Sequence, residues 1–306
     1  MKTPKFSVII PAHNEEDVIE RAIKSILNQT YQNFEIIISN DGSTDKTKEI
    51  VENLIKKDKR IKILNQDKGH SAAFARNWGA EKAKGEILIF LDADTFISTN
   101  ALEEISKSIL DVDAFAFDCI PKNKTIVNYA LSGLVVPIVA RKQIYSKEDK
   151  DQIMFFCISQ NAFNKLKGYD ETIFYFEDED FSNRFYSAVF KTGFIKNIYQ
   201  YFELPSDWSG FVRQSKWIAK GLNTIPDKKK KREAKIIWFA KCLFLISPLI
   251  FLFKPIIAFY IFIATIFISY IGLVFRNKKP ILSLIALPFL YLKTFLVSWN
   301  ILRFWK

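Results

Sequence analysis

The chain has 306 residues, 49% hydrophobic and 25% charged, with a net charge of +11. That length holds one large domain or two modest ones, and that composition excludes an intrinsically disordered chain. Three cysteines with no close pair exclude a disulfide framework and a cysteine-type zinc site, and two histidines leave little room for a histidine metal centre.

The N-terminal part reads as alternating strands and helices. FSVII (6–10) is a β-branched run ended by Pro11, hence a strand. Residues 15–28 place Val18, Ile19, Ala22, Ile23, Ile26 and Leu27 at helical spacing, and FEIIIS (34–39) is a second strand. Ser43 or Asp45 can cap the next helix, which keeps Ile50, Val51, Leu54 and Ile55 on one face. IKIL (61–64) is a third strand, the Ala-rich stretch 71–84 a helix, and EILIFL (86–91) a fourth strand bounded by Asp92. This order predicts an α/β, Rossmann-like, mainly parallel sheet with helices on both faces.

In such sheets ligands bind beyond the carboxyl ends of the strands. Pro11-Ala12-His13-Asn14-Glu15 stands after the first strand, Asn40-Asp41-Gly42-Ser43-Thr44-Asp45 after the second, and Asp92-Ala93-Asp94 after the fourth. No strand is followed by G-x-G-x-x-G, which argues against a dinucleotide-binding unit, and no G-x-x-x-x-G-K-[ST] exists, which excludes a P-loop. Without a glycine-rich cradle, bound phosphates need another counter-charge. A divalent Mg²⁺ or Mn²⁺ on Asp92 and Asp94 would supply it, since carboxylate oxygens suit hard cations. Taken singly, Asp-x-Asp at a strand end is also an ordinary turn, and Asp41 an ordinary helix cap.

The C-terminal part differs in kind. Residues 228–306 hold 14 Lys and Arg against one acid, a net of +13, which leaves −2 for residues 1–227. Positive charge in an apolar tail points to a membrane surface and away from nucleic acid. Three apolar segments follow KKKKR (228–232): 236–253, 256–275 and 281–302. The second is uncharged and about 20 residues long, enough to cross the hydrocarbon core as a helix. The first can span or re-enter; the third carries Lys293 and can span or lie in the interface. KKKKR before the first segment and RNKK after the second predict cytosolic ends, so a multi-pass cell-membrane protein with residues 1–227 on the cytoplasmic side is expected. The start, MKTPKFSVIIPAHNEE, lacks the apolar length of a signal peptide.

FSVIIPAHNEE, NDGSTDKT, DKGHSAAFARNWG and ILIFLDAD together resemble the family 2 glycosyltransferases of GT-A fold, in order and spacing. QNAFNKLKGYDETIFYFEDEDFSNRF (160–185) resembles that family's acceptor-side block, and RQSKWIAKG (213–221) its Q-x-x-R-W region, with shorter spacing. The resemblance implies a metal-dependent, inverting transfer of a sugar from a nucleotide-sugar donor to a lipid-linked or glycan acceptor. It implies that Pro11, Ala12, His13 and Glu15 hold the nucleoside, and that Asp41 accepts a ring N–H of the base, favouring uracil. Lys68, Gly69 and Arg76 would line the pyrophosphate and sugar; Asp92 would touch ribose or sugar and Asp94 the metal. Asp178, with Glu177 beside it, would be the catalytic base, and Arg213, Gln214 and Trp217 would close over the diphosphate. His13 stands where relatives carry an aromatic residue and is not expected to be catalytic; His70 is read as incidental. A nucleotidyltransferase would want a G-x-G-T-R-type loop where PAHNEE stands. An inactive membrane scaffold would be expected to lose acids that are all present here.

Overall fold

The computed structural model describes residues 6–108, 112–122, 157–174, 177–188 and 190–203, with a few isolated positions beyond them. The chain divides into two compact units, Met1–Ile120 with Ala140–Phe202, and Pro121–Val139 with Glu203–Lys306. The elements below belong to the first.

The parallel block forms from the continuous apolar runs of the sequence. It comprises β1 (Phe6–Ala12), β2 (Phe34–Asp41), β3 (Ile61–Gln66) and β4 (Ile87–Phe90) in spatial order β3-β2-β1-β4. Phe6 pairs with Phe34 and Ile87, Ile9 with Ile37 and Phe90. Alternate residues of each strand face opposite sides. Val8, Ile10, Ile36 and Ile38 pack with α1 (Ile19–Leu27) and α2 (Thr47–Lys57). Ile9, Ile37 and Leu88 meet the other layer, which includes α3 (Ala72–Lys82). Strands buried on both faces need no polar alternation, which is why they read as near-continuous apolar runs. Each fully buried isoleucine contributes about 2 kcal/mol relative to exposure.

Helix α3 lies close on the sheet because Gly79 permits it. A Cβ there would stand 2.5 Å from Ile9 Cγ2 and 2.7 Å from Ser39 Oγ. Its N-terminus is capped by Ser71, whose Oγ accepts from Phe74 N at 3.1 Å.

Two details differ from the sequence reading. Helix α1 starts at Ile19, not near residue 15, because the preceding residues are tied elsewhere. Glu15 N donates to Thr47 Oγ1 at 2.8 Å and Glu16 N to Asp45 Oδ2 at 3.1 Å. Of the two caps considered for α2, Asp45 Oδ1 accepts from Thr47 N, whereas Ser43 Oγ accepts from Asn14 N.

Beyond β4 the sheet turns antiparallel, which the sequence reading did not foresee. The strands are β5 (Phe96–Ile97), β6 (Ala114–Pro121), β7 (Cys157–Ser159) and β8 (Thr192–Phe202), in the order β4-β7-β6-β8-β5. β7 runs antiparallel to β4 and β6, and β5 to β8. Helices α4 (Ala101–Ser108), α5 (Gln160–Lys165) and α6 (Glu177–Ser187) complete the described elements.

Among the described residues no helix is long and apolar enough to cross a membrane. The expected segments 236–253, 256–275 and 281–302 lie outside the described residues, apart from Ile263, Ile266 and Phe267, which are helical.

Candidate functional site

The candidate site is built on the carboxyl ends of β1, β2 and β4. The loops after β1 and β2 are joined by reciprocal hydrogen bonds. Asn14, at φ 59°, donates its N–H to Ser43 Oγ and accepts Thr44 N on Oδ1 at 2.8 Å. Lys46 N donates to Glu16 Oε2 at 2.9 Å. The left-handed conformation at Asn14 is one that Asn tolerates. Pro11 and Ala12 end β1, Ala12 only 3% exposed; Glu15 is half-buried in the zipped turn.

Asp41 ends β2 and is 5% exposed. Its Oδ2 accepts from His70 N at 2.7 Å, and its Oδ1 meets His70 Nδ1 at 3.0 Å. Gly42 makes this approach possible. It sits at φ 71°, and a Cβ there would lie 2.4 Å from Gly69 N. His70, read from the sequence as incidental, is thus on the carboxylate expected to recognise the base. Lys68 and Gly69 are exposed in the same turn.

The second half of the site is centred on Arg76 of α3. Its Nη2 donates to Asp92 Oδ1 at 2.8 Å and its Nη1 to Glu177 Oε1 at 2.6 Å. The guanidinium side chain is 11% exposed and lies 5.4 Å above the Tyr169 ring. Burial works against its charge, but Asp92, Tyr169 and Glu177 more than offset this and hold the arginine still more firmly protonated. Tyr169 ionisation is pushed upward, by burial first and also by Asp178, Asp92 and Glu177, with Arg76 opposing. Asp178 thus acts electrostatically on Tyr169, the ring beneath the Arg76 guanidinium.

Glu177 and Asp178 open α6, where the helix macrodipole favours acids. Asp92 and Asp94 lie on the turn after β4. Asp92 is 40% exposed and Asp94 exposed; Arg21 Nη2 donates to the Asp94 carbonyl at 3.3 Å. Thr95 fixes the turn by donating its N–H and hydroxyl to the Asp92 carbonyl at 3.0 and 2.8 Å.

The sequence reading missed Asn77 and Tyr169. Asn77 clamps the loop before α6: its Nδ2 donates to the Tyr169 carbonyl at 2.9 Å and its Oδ1 accepts Tyr169 N at 2.8 Å. Gly168, at φ 67°, brings that loop in; a Cβ there would meet Asn77 Oδ1 at 2.5 Å. Both residues stood inside the quoted motifs, ARN and GYDE, but nothing in spacing alone pairs them. Arg213, Gln214 and Trp217 lie outside the described residues.

Comparison with known proteins gives the site its context. Residues 7–172 match the family described as Glycosyl transferase family 2. A GalNAc(5)-diNAcBac-PP-undecaprenol β-1,3-glucosyltransferase of Campylobacter jejuni is 39% identical over 132 residues, 42% of this chain and 43% of that one. An uncharacterized glycosyltransferase of Haemophilus influenzae is 47% identical over 104 residues, 34% of this chain and 42% of that one. The chain spans less than half the length of these relatives. In fold it is similar to the mannosyltransferase PcManGT of Pyrobaculum calidifontis, solved with GDP-Man and Mn²⁺, at a TM-score of 0.59 and 15% identity over 100% of this chain and 89% of that one. It is similar also to S. aureus TarS 1-349 with UDP-GlcNAc, at 0.55 and 16% over 95% and 90%. These likenesses extend the GT-A-like fold to the chain. The match covers more than half of the sequence and includes every strand-end motif of the site: the chain belongs to glycosyl transferase family 2.

Proposed function

We propose that the chain is an inverting glycosyltransferase that moves a sugar from a nucleotide-sugar, a UDP-sugar first, to a lipid-linked or membrane-proximal glycan acceptor. The observation that carries it is the Asp92–Arg76–Glu177 bridge. It joins the donor-side turn after β4 to the acceptor-side helix α6 through one buried cation. The named C. jejuni relative, whose acceptor is polyprenyl-linked, and the UDP-GlcNAc complex of TarS support the two substrate classes.

The residues fit a divalent cation. Asp92 and Asp94 are accessible carboxylates on one turn, and Arg76 donates to Oδ1 of Asp92. Mg²⁺ and Mn²⁺ sites of this kind take one or two carboxylates plus substrate phosphates, so a larger protein cage is not needed. Bound there, the ion would neutralise the departing diphosphate.

The chain's own groups perform the rest. Asp41 takes the base, the zipped β1 and β2 loops hold the nucleoside, and Arg76 orients Asp92 and Glu177. Asp178 accepts the proton of an attacking hydroxyl, whose oxygen displaces the nucleoside diphosphate from the opposite face of the anomeric carbon. An acceptor that is already a phosphate anion needs little of this base. Lys228–Arg232 and Lys235 would then help to position it, beside their topogenic role.

The reading places residues 1–227 at the cytoplasmic face and residues 228–306 in the membrane. Ile263 and Phe267, helical positions of the uncharged segment, are 46% and 61% exposed, as lipid-facing side chains would be.

The test is release of nucleoside diphosphate by the detergent-solubilised chain from a panel of UDP-, GDP- and dTDP-sugars with Mn²⁺ or Mg²⁺. Metal-dependent release from one donor, increased by polyprenyl phosphate or a polyprenyl-linked glycan, is expected. Release from none of them in the presence of lipid extract would contradict the proposal.

A further inference from the structure

Both histidines of the chain converge on one residue, Asp41. His13 Nδ1 lies 2.7 Å from the Asp41 carbonyl, and its Nε2 lies 3.3 Å from Asn14 Nδ2. Asn14 Oδ1 accepts Thr44 N, so Nδ2 is the amide donor toward His13. Nε2 therefore accepts, and Nδ1 carries the proton that it donates to the Asp41 carbonyl. The imidazole of His13 also lies against Gly69, where a Cβ would stand 3.2 Å from Cε1.

His70 acts on the side chain. Its backbone N–H and its ring Nδ1 reach different oxygens of the Asp41 carboxylate, at 2.7 and 3.0 Å. Its ring is stacked on Phe74 with centroids 4.3 Å apart, and Phe74 belongs to the Ser71-capped first turn of α3. The imidazole is thus held from two directions, although its side chain is 46% exposed.

We infer that His70 is a positioning residue for base recognition: its ring locks the Asp41 carboxylate as a fixed, acceptor-only group for a ring N–H of the donor's base. The inference rests on the nucleotide-sugar reading above. Each carboxylate oxygen accepts two hydrogen bonds, so both keep capacity after His70 is served. With Asp41 only 5% exposed, what remains is a narrow acceptor. Uracil and thymine offer N3–H to it, and guanine N1–H. Cytosine and adenine would set a ring lone pair against a carboxylate. The discrimination depends on Asp41 not turning away, which is what the His70 ring prevents. A second use of the same geometry would be the reverse one, with the ring as a plug that a base must displace; the two differ in sign when the ring is removed.

The test is calorimetric binding of UDP and CDP to the full chain in detergent with Mn²⁺, alongside steady-state kinetics, for the parent, His70→Ala, His70→Asn and Asp41→Asn. His70→Ala keeps the backbone N–H and loses the ring. It is expected to weaken UDP binding about 10-fold, the order of one charge-assisted hydrogen bond, with a matching rise in donor KM and little change in kcat. Preference for UDP over CDP narrows. His70→Asn, which restores an N–H near the position of Nδ1, recovers most of both. UDP binding by His70→Ala equal to or tighter than the parent's overturns the inference. So does an equal loss for UDP and CDP that Asn does not restore. If Asp41→Asn loses UDP while His70→Ala does not, the base site stands and the role of His70 falls. A parent that binds none of UDP, dTDP or GDP overturns the nucleotide reading and this inference with it.

Discussion

The two ends of the parallel sheet each carry a carboxylate network, and they treat it differently. At the amino end, Glu35 is bound through both oxygens by its own chain. Its Oε1 accepts from Ser7 Oγ at 2.7 Å and Lys84 N at 2.6 Å, and its Oε2 from Lys62 Nζ at 2.7 Å. Ser7 Oγ in turn accepts Gly85 N at 2.8 Å, and a Cβ on Gly85 would collide with the β1 backbone. At the carboxyl end, Asp92 and Glu177 share one arginine, and Asp92 stays 40% exposed. A network that closes on itself holds a fold together, whereas one that leaves acceptor capacity at an accessible edge is equipped for a ligand. The contrast also separates stability from activity, and that separation can be tested.

The largest effect is expected from Arg76→Ala. It leaves Asp92 and Glu177 facing each other without their cation, costing about 3–5 kcal/mol of stability and at least about 100-fold in kcat/KM. Arg76→Lys would recover part of the stability but little of the activity, because an ammonium does not reproduce the fork. Denaturant unfolding and donor kinetics on the same preparations check both. Next is Asp94→Ala, expected to lower kcat/KM by about 100- to 1,000-fold while stability stays within about 0.5 kcal/mol, the side chain being exposed.

Glu35→Gln should do the opposite, costing about 2 kcal/mol with donor KM unchanged. Burial pushes the Glu35 carboxyl up, but the bonds from Lys62, Ser7 and Lys84 reverse this and hold it below the usual range. Its contribution is therefore present above the unfolded value, about 4.3, and is lost as pH falls through the lower folded value. The parent should lose stability across that acidic window more steeply than the glutamine variant, as unfolding midpoints at a series of pH values would show. The smallest effect is expected from Lys62→Met. Its side chain is 44% exposed, so solvent screens the pair and less than about 1 kcal/mol is lost. A larger loss than for Glu35→Gln would mean that the amino-end network depends on charge and not on closure.

Much of the parallel block was legible in the sequence, because strands buried on both faces leave continuous apolar runs such as FEIIIS and EILIFL. The acids that follow them, Asp41, Asp92 and Asp94, were legible for the same reason: they interrupt those runs. The antiparallel extension was not. β5 spans two residues and β7 three, too short for any periodicity to register. The partners within the site were hidden by distance along the chain. Arg76 and Glu177 are 101 residues apart, Asn77 and Tyr169 are 92 apart, and their meeting depends on α3 and α6 packing on one face. His70 reaches Asp41 only because Gly42 takes a positive φ against Gly69, a backbone event that residue type permits but does not announce.

The most direct measurement is release of UDP from a UDP-sugar panel by the solubilised chain, comparing the parent, Asp94→Ala and Glu35→Gln below the melting temperature of each. The account predicts that the parent and Glu35→Gln release UDP from the same donor at similar rates, while Asp94→Ala is silent at unchanged stability. Release by Asp94→Ala at the parent's rate would contradict the assignment of the carboxyl end as the reacting edge of the sheet.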